Sequence, residues 1–240
     1  MLLAVDIGNT RSKAAVFEDG RILEKFAFPK NELEKTILKI VSRYEKVTGI
    51  VVSSVGNERI DFVLPRKINV CTINHTSKFP FDNLYQTPET LGIDRMVLAS
   101  GATLRYPGKN RLVIDAGTCI TYDFIDDQDR YHGGAISPGI RLRYEALHNY
   151  TAKLPLLTAE MPEGIIGKST AGSIHSGVVN GAVNEIDGFI DSYRGGAQNF
   201  IIILTGGDAD FLAGRLKNTI FANQNFLLES LEITFRQNHK

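Results

Sequence analysis

Leu2–Lys13 reads LLAVDIGNTRSK, and Arg111–Asp123 reads RLVIDAGTCITYD. In each, an apolar run ends in Asp, one further residue, Gly, and then small hydroxyl or amide side chains. A carboxylate at the end of a buried strand is costly unless something pairs with it. Gly two positions later permits a tight turn and lets a ligand approach the backbone. The Thr, Ser and Asn side chains, the main-chain N–H groups and the Lys13 ammonium are donors suited to phosphate oxygens. One such copy is equally an Asx-type turn, in which Asp bonds neighbouring N–H groups. Two copies, each opening a similar three-strand unit, point to a pair of phosphate cradles. Two related domains facing each other would aim both Asp residues into one cleft.

The repeat extends beyond the turns. Leu2–Val5, KAAVF from Lys13 and RILEKFAF after the Asp19-Gly20 turn read as three strands. Leu33, Ile37, Ile40, Val41 and Tyr44 then recur at helical spacing, with Asn31 as the expected N-cap and Glu34 three residues on. TGIVVSSVG from Thr48 reads as a buried strand. From Arg111 the order returns: RLVIDAG, TYDFID and YHGGAI as strands, PGIRLRYEALHNY as a helix, a long helix over 169–193, and FIIILTGG as a buried strand. Subtracting 109 from Asp115, Gly117 and Thr121 lands on Asp6, Gly8 and Ser12. A period this long means duplicated domains. The expected division is 1–105 and 106–240.

Lys plus Arg and Asp plus Glu both number 27, so the formal net charge is zero and a broad electrostatic grip on nucleic acid or anionic lipid is not expected. No apolar run approaches the roughly 18–20 residues that span a bilayer. No basic region precedes the apolar start, and Asp6 interrupts it, so it does not read as a signal peptide. Cys71 and Cys119 lie in no paired motif and read as reduced thiols of a cytoplasmic protein, Cys119 as a buried structural one.

TGGDADFL from Thr205 runs a buried strand through Gly-Gly into a helix expected over 209–217. Its N–H groups are suited to adenine, ribose or phosphate, or it is a simple strand-to-helix loop. GIIGKST from Gly164 imitates a P-loop, but that motif needs four residues between its glycines and here there are two. Ser169 and Thr170 are expected to cap the long helix instead. Ile174, Val178, Ala182, Ile186 and Ile190 form its apolar stripe, for core or for a dimer interface, and Gly177, Gly181 and Ala182 would let another helix pack closely. His132 reads as structural.

Six segments in order, DIGNTRSK at Asp6, YQTPETLGIDR at Tyr85, DAGTCITYD at Asp115, GGAISPG at Gly133, GKSTAGSIHSG at Gly167 and TGGDA at Thr205, resemble the type III pantothenate kinases of the acetate/sugar kinase, Hsp70 and actin superfamily. The resemblance runs nearly end to end. It implies an α/β fold of duplicated ribonuclease H-like (actin-like ATPase) domains, each a mixed β-sheet flanked by helices. It implies ATP-dependent phosphorylation of pantothenate to 4'-phosphopantothenate, the first step of coenzyme A synthesis, by a homodimer. The cofactors implied are Mg²⁺ and a monovalent cation, K⁺ or NH₄⁺.

Carried over by residue, Asp6, Ile7, Gly8, Asn9, Thr10, Arg11, Ser12 and Lys13 resemble the first phosphate-binding segment, and Thr118 an ATP contact. Asp94 matches the general base. Tyr85, Gly92, Ile93, Arg95 and Thr170 match pantothenate contacts, Thr170 near the dimer interface. Asp115 matches the ligand of the monovalent cation. Asp6 is expected to act on Mg²⁺, directly or through water. Asp94 falls in the first turns of a helix entered near Gly92, where the positive helix end favours a carboxylate. By itself such a residue is equally a first-turn charge bonded to Arg95. Arg95 suits either the pantothenate carboxylate or a structural one.

Three competitors are weaker. Aspartic proteases also carry an Asp turn in each half, but neither turn here is Asp-Thr-Gly or Asp-Ser-Gly, and the helices favour an α/β chain. A non-catalytic nucleotide-binding relative should have lost Asp6 or Asp94. A superfamily kinase for another small alcohol is disfavoured only by the resemblance of LGIDR.

Overall fold

The structure is a computed structural model that describes residues 1–8, 11–54 and 60–239. Its contacts divide it into two compact units. The first comprises Met1–Pro107, Asp129–Tyr131 and Asn225–Lys240; the second comprises Gly108–Gln128 and His132–Gln224.

The first unit opens with β1 (Leu2–Ile7), β2 (Arg11–Glu18) and β3 (Arg21–Pro29), an antiparallel meander. Asp19, with φ 49°, and Gly20, with φ 80°, supply the left-handed turn between β2 and β3. After α1 (Leu33–Arg43), β4 (Gly49–Ser54) returns parallel to β1, and β5 (Asn69–Thr72) lies beside β4. The strand order is β3-β2-β1-β4-β5. Every residue of β1 is buried, so helices cover both faces of the sheet. Leu3, Val5 and Ile7 share a core with Ile37, Ile40 and Val41 of α1. The two-residue period of the strand therefore turns Leu2, Ala4 and Asp6 toward the opposite face. Asn31 does not cap α1: it lies in a 3-10 turn over Lys30–Glu32, and the capping position falls to Glu32, with no side-chain bond. The short β6 (Asp82–Asn83) precedes α2 (Ile93–Arg105).

In the second unit β7 (Asn110–Ala116) pairs antiparallel with β8 (Cys119–Ile125), and β9 (Arg130–Pro138) follows. β6 pairs with the first two residues of β9, Arg130 and Tyr131, which cluster with the first unit. Then come α3 (Ile140–Asn149), α4 (Thr170–His175), a π-helical turn over Ser176–Asn180 and α5 (Gly181–Arg194). The long helix expected over 169–193 is thus widened at its middle. There Ser176 Oγ donates to the Ile165 carbonyl at 2.6 Å and Asn180 Nδ2 donates to Ser176 Oγ at 3.1 Å. Its stripe of Ile174, Val178, Ala182, Ile186 and Ile190 is core. β10 (Phe200–Thr205) runs parallel to β7, α6 (Ala209–Ala213) stops short of the expected Lys217, and β11 (Phe221–Ala222) lies parallel to β10. The order β9-β8-β7-β10-β11 repeats that of the first sheet.

The expected division at 105/106 differs from the observed units at the C-terminus. α7 (Phe226–Asn238) belongs to the first unit, because its Leu228, Ser230, Leu231 and Thr234 are buried where it packs on α2 and β1. Ser100 and Thr234 join the two helices by a hydroxyl–hydroxyl bond of 2.7 Å. Cys119 is exposed rather than buried: the alternation of β8 turns Ile120 and Tyr122 inward and Cys119 out. Among the described residues no helix is long and apolar enough to cross a membrane.

Candidate active site

Asp6 sits one residue before the end of β1, only 7% exposed. Its parallel neighbour across the sheet is Ser53 of β4, and its antiparallel neighbour is Lys13 of β2. Ser53 Oγ donates to Asp6 Oδ1 at 2.8 Å. Burial pushes the Asp6 carboxyl up to about 6; the Ser53 bond pulls it back, the Asp94 charge pushes it further up, and Lys13 pulls it down. α2 packs against β4, the strand beside β1, and the Asp94 charge in its first turn is felt at Asp6. Ile7 is buried and Gly8 partly exposed at the turn; Arg11 is exposed and Lys13 half-buried. Ser12 is fully buried, and among the described residues its hydroxyl has no hydrogen-bond partner. Asn9 and Thr10 lie outside the described residues.

Gly92 caps α2, Ile93 is its first residue and buried, and Asp94 is in its first turn. Asp94 Oδ1 accepts the Arg95 backbone N–H at 2.9 Å, a local bond made by one carboxylate oxygen. Arg95 is buried with its guanidinium 5.8 Å from the centre of the Tyr85 ring. Tyr85 in turn leans on Tyr131, with ring centres 6.3 Å apart, and Tyr131 on Phe81 at 5.6 Å. Four of the expected substrate contacts, Tyr85, Gly92, Ile93 and Arg95, therefore converge on the N-terminus of α2 with Asp94. Thr170 belongs to the second unit, as the exposed first residue of α4. Its neighbour Ser169 caps that helix, accepting the Gly172 N–H at 3.0 Å.

The second turn repeats the first with other partners. Asp115 sits half-buried one residue before the end of β7, with Thr205 of β10 as its parallel neighbour and Thr121 of β8 as its antiparallel one. Thr205 is buried, and among the described residues its hydroxyl lacks a partner. Gly206 follows at φ 100°, a conformation that L side chains rarely adopt, and a Cβ there would lie 2.4 Å from Asp115 Oδ1. The Asp208 N–H closes the contact on the Ala116 carbonyl at 2.9 Å, and the Gly139 N–H reaches the Thr118 carbonyl at 3.1 Å. Thus TGGDA and the end of GGAISPG both lock onto DAGT, leaving Thr118 exposed.

The sequence reading overlooked Ser53, Thr205's place beside Asp115, and Tyr131. The first two were marked only by a hydroxyl near the end of a buried strand. His132, assigned no role, bonds Asp126, Nε2 to Oδ2 at 2.7 Å. GIIGKST forms no strand–loop–helix nucleotide turn, because no strand leads into it.

Among the described residues no group of three His, Cys, Asp or Glu side chains could hold a metal. Mg²⁺ bound through one carboxylate, waters and substrate phosphates needs none. A buried Asp6 carboxylate, with one oxygen bonded to Ser53 and the other on the side of Gly8, fits such an ion.

The fold is shared with solved structures. A Campylobacter jejuni protein described as a conserved Baf family transcriptional activator matches with a TM-score of 0.68 over 99% of this chain and 98% of its own, at 21% identity. The activator of the 2-hydroxyisocaproyl-CoA dehydratase from Clostridium difficile, with bound ADPNP, matches with a TM-score of 0.56 at 13% identity, over 99% and 95%. These likenesses establish the fold. At the level of sequence, the type III pantothenate kinase family model matches residues 2–192. The type III pantothenate kinase of Flavobacterium johnsoniae is 65% identical over 238 residues, 98% of each chain. With that match running through both aspartate turns and the α2 N-terminus, the chain belongs to the type III pantothenate kinase family, phosphotransferases that phosphorylate pantothenate in coenzyme A biosynthesis.

Proposed function

We propose that this chain transfers the γ-phosphoryl group of ATP to the primary hydroxyl of pantothenate, with Asp94 as general base. The observation that carries the assignment is the position of Asp94: in the first turn of α2, within electrostatic reach of buried Asp6. As the hydroxyl oxygen bonds to the γ-phosphorus and the bond to the leaving ADP oxygen breaks, the hydroxyl proton passes to Asp94. The Arg95 N–H bond holds one Asp94 oxygen and leaves the other for that proton. Arg95, whose guanidinium stands by the Tyr85 ring, is assigned with Tyr85, Gly92 and Ile93 to pantothenate.

Asp6, Ile7, Gly8, Asn9, Thr10, Arg11, Ser12, Lys13 and Thr118 are assigned to ATP. Asp6 is assigned to Mg²⁺, which when bound offsets the charge of the phosphates. Asp115 is assigned to K⁺ or NH₄⁺, and Thr170 to pantothenate. The assembly is a homodimer and the compartment the cytoplasm. Exposed Ile165 and Ile166, beside Thr170, support an apolar contact between copies. Nucleic acid and membrane have no part in this function.

The test is ADP release by purified protein with ATP, Mg²⁺ and K⁺ or NH₄⁺, with and without pantothenate. Pantothenate-dependent turnover that falls by at least about 10²-fold in Asp94→Asn is expected. Nucleotide binding without turnover in either cation, or full activity in Asp94→Asn, would overturn the assignment.

A further inference from the structure

Parallel pairing of β1 with β4 sets Ser53 directly beside Asp6, and both are almost wholly withdrawn from solvent, at 1% and 7% exposure. Ser53 Oγ spends its single proton on Asp6 Oδ1 at 2.8 Å. The other oxygen, Oδ2, is the one on the side of the glycine turn: a Cβ added at Gly8 would lie 3.9 Å from it. The bond therefore fixes the rotation of the carboxylate and leaves one chosen oxygen toward the turn. We propose that Ser53 is a positioning residue, holding the Asp6 carboxylate in the one orientation that serves Mg²⁺.

The inference rests on the assignment of Asp6 to Mg²⁺ made above. Partners that orient a metal-binding carboxylate typically account for 10–100-fold in metal affinity or activity. The second unit places a hydroxyl residue in the same register, Thr205 beside Asp115, although among the described residues the Thr205 hydroxyl makes no hydrogen bond. A β-branched hydroxyl residue is thus already seated at the equivalent place, which makes Ser53→Thr the conservative change. Ser53→Val is its isostere without the hydroxyl.

The experiment compares Ser53→Thr, Ser53→Val and Asp6→Asn with the unaltered full chain. Mn²⁺ is titrated into protein with saturating ADP and followed by electron paramagnetic resonance, a readout independent of turnover. The Mg²⁺ concentration for half-maximal rate, kcat and the KM for pantothenate are measured alongside. Ser53→Val is expected to weaken Mn²⁺ binding and raise the Mg²⁺ requirement by about tenfold or more, with KM for pantothenate within about twofold. Ser53→Thr is expected to keep the unaltered values, even if both variants lose the same thermal stability through crowding. Equal Mn²⁺ binding in the Thr and Val variants would overturn the role of Ser53. Undiminished Mn²⁺ binding in Asp6→Asn would instead overturn the assignment of Asp6, and that of Ser53 with it.

Discussion

Replacing Gly92 by alanine separates catalysis from folding. Gly92 has φ −56° and ψ 134°, a backbone conformation open to any residue, so the substitution causes no backbone strain. The added Cβ would lie 2.5 Å from Asp94 Oδ1 and 3.6 Å from its Cγ. Ordinary contact between such atoms begins near ~3.5 Å. The carboxylate has to retreat by about 1 Å, giving up its bond to the Arg95 N–H. A misplacement of that size costs on the order of 10²-fold in rate, or about 2.7 kcal/mol of barrier. The fold loses far less: alanine is a poorer cap than glycine by roughly 1 kcal/mol at most, and a more restricted unfolded chain returns about 0.4–1 kcal/mol. Steady-state kinetics and thermal unfolding of the same preparation measure both. The expected result is kcat down about 10²-fold with the KM for ATP and Tm nearly unchanged. A folded Gly92→Ala enzyme with full kcat would refute the placement of Asp94 as base. A fall in kcat that merely tracks a loss of folded protein would refute the separation.

Two further outcomes follow from the same geometry. The folded Asp6 carboxyl, at about 6, lies above its ordinary 3.8, so ionising it in place opposes folding. That cost is absent below pH ~4, grows as pH rises through 6, and reaches about 3 kcal/mol. Without metal or nucleotide, Asp6→Asn should therefore melt above the unaltered protein at pH 8 and with it near pH 4, and coincident melting at pH 8 would contradict this. Gly101→Ala would bring a Cβ to 1.9 Å from Ser230 Oγ and 2.5 Å from Ser230 Cβ. Forcing α2 from α7 costs about 1–3 kcal/mol, more than the roughly 1 kcal/mol of helix propensity gained. Urea unfolding should show a net loss that Ser230→Gly partly restores, and a more stable Gly101→Ala would contradict the packing.

The strands and the long helix of each unit were legible because buried apolar residues recur at periods that backbone geometry imposes. Leu3, Val5 and Ile7 alternate along β1; Ile37, Ile40 and Val41 recur around α1. The short β5, β6 and β11 were not foreseen, since two to four residues carry too little periodicity. α7 was passed over although its apolar residues follow helical spacing, and its membership of the first unit could not be foreseen. Packing against α2 is a contact between residues 134 apart, as in Ser100 with Thr234. The Asn31 cap failed because the chain takes a 3-10 turn before α1, a choice of tertiary context over local preference.

The sequence by itself determined the duplicated architecture, the two aspartate turns and the six motifs that mark the family, because each is a local pattern of residue types. Only the tertiary structure decided which residues stand beside those aspartates. Ser53 meets Asp6 and Thr205 lies beside Asp115 through parallel strand pairing, whose register depends on how helices and sheet pack and not on any nearby residue. The polarity of the site follows the same division. Asp6 was visible as a carboxylate, but its rise to about 6 belongs to burial, Ser53, Asp94 and Lys13 acting together. Desolvation and the field of neighbouring charges exist only once the chain has closed around them.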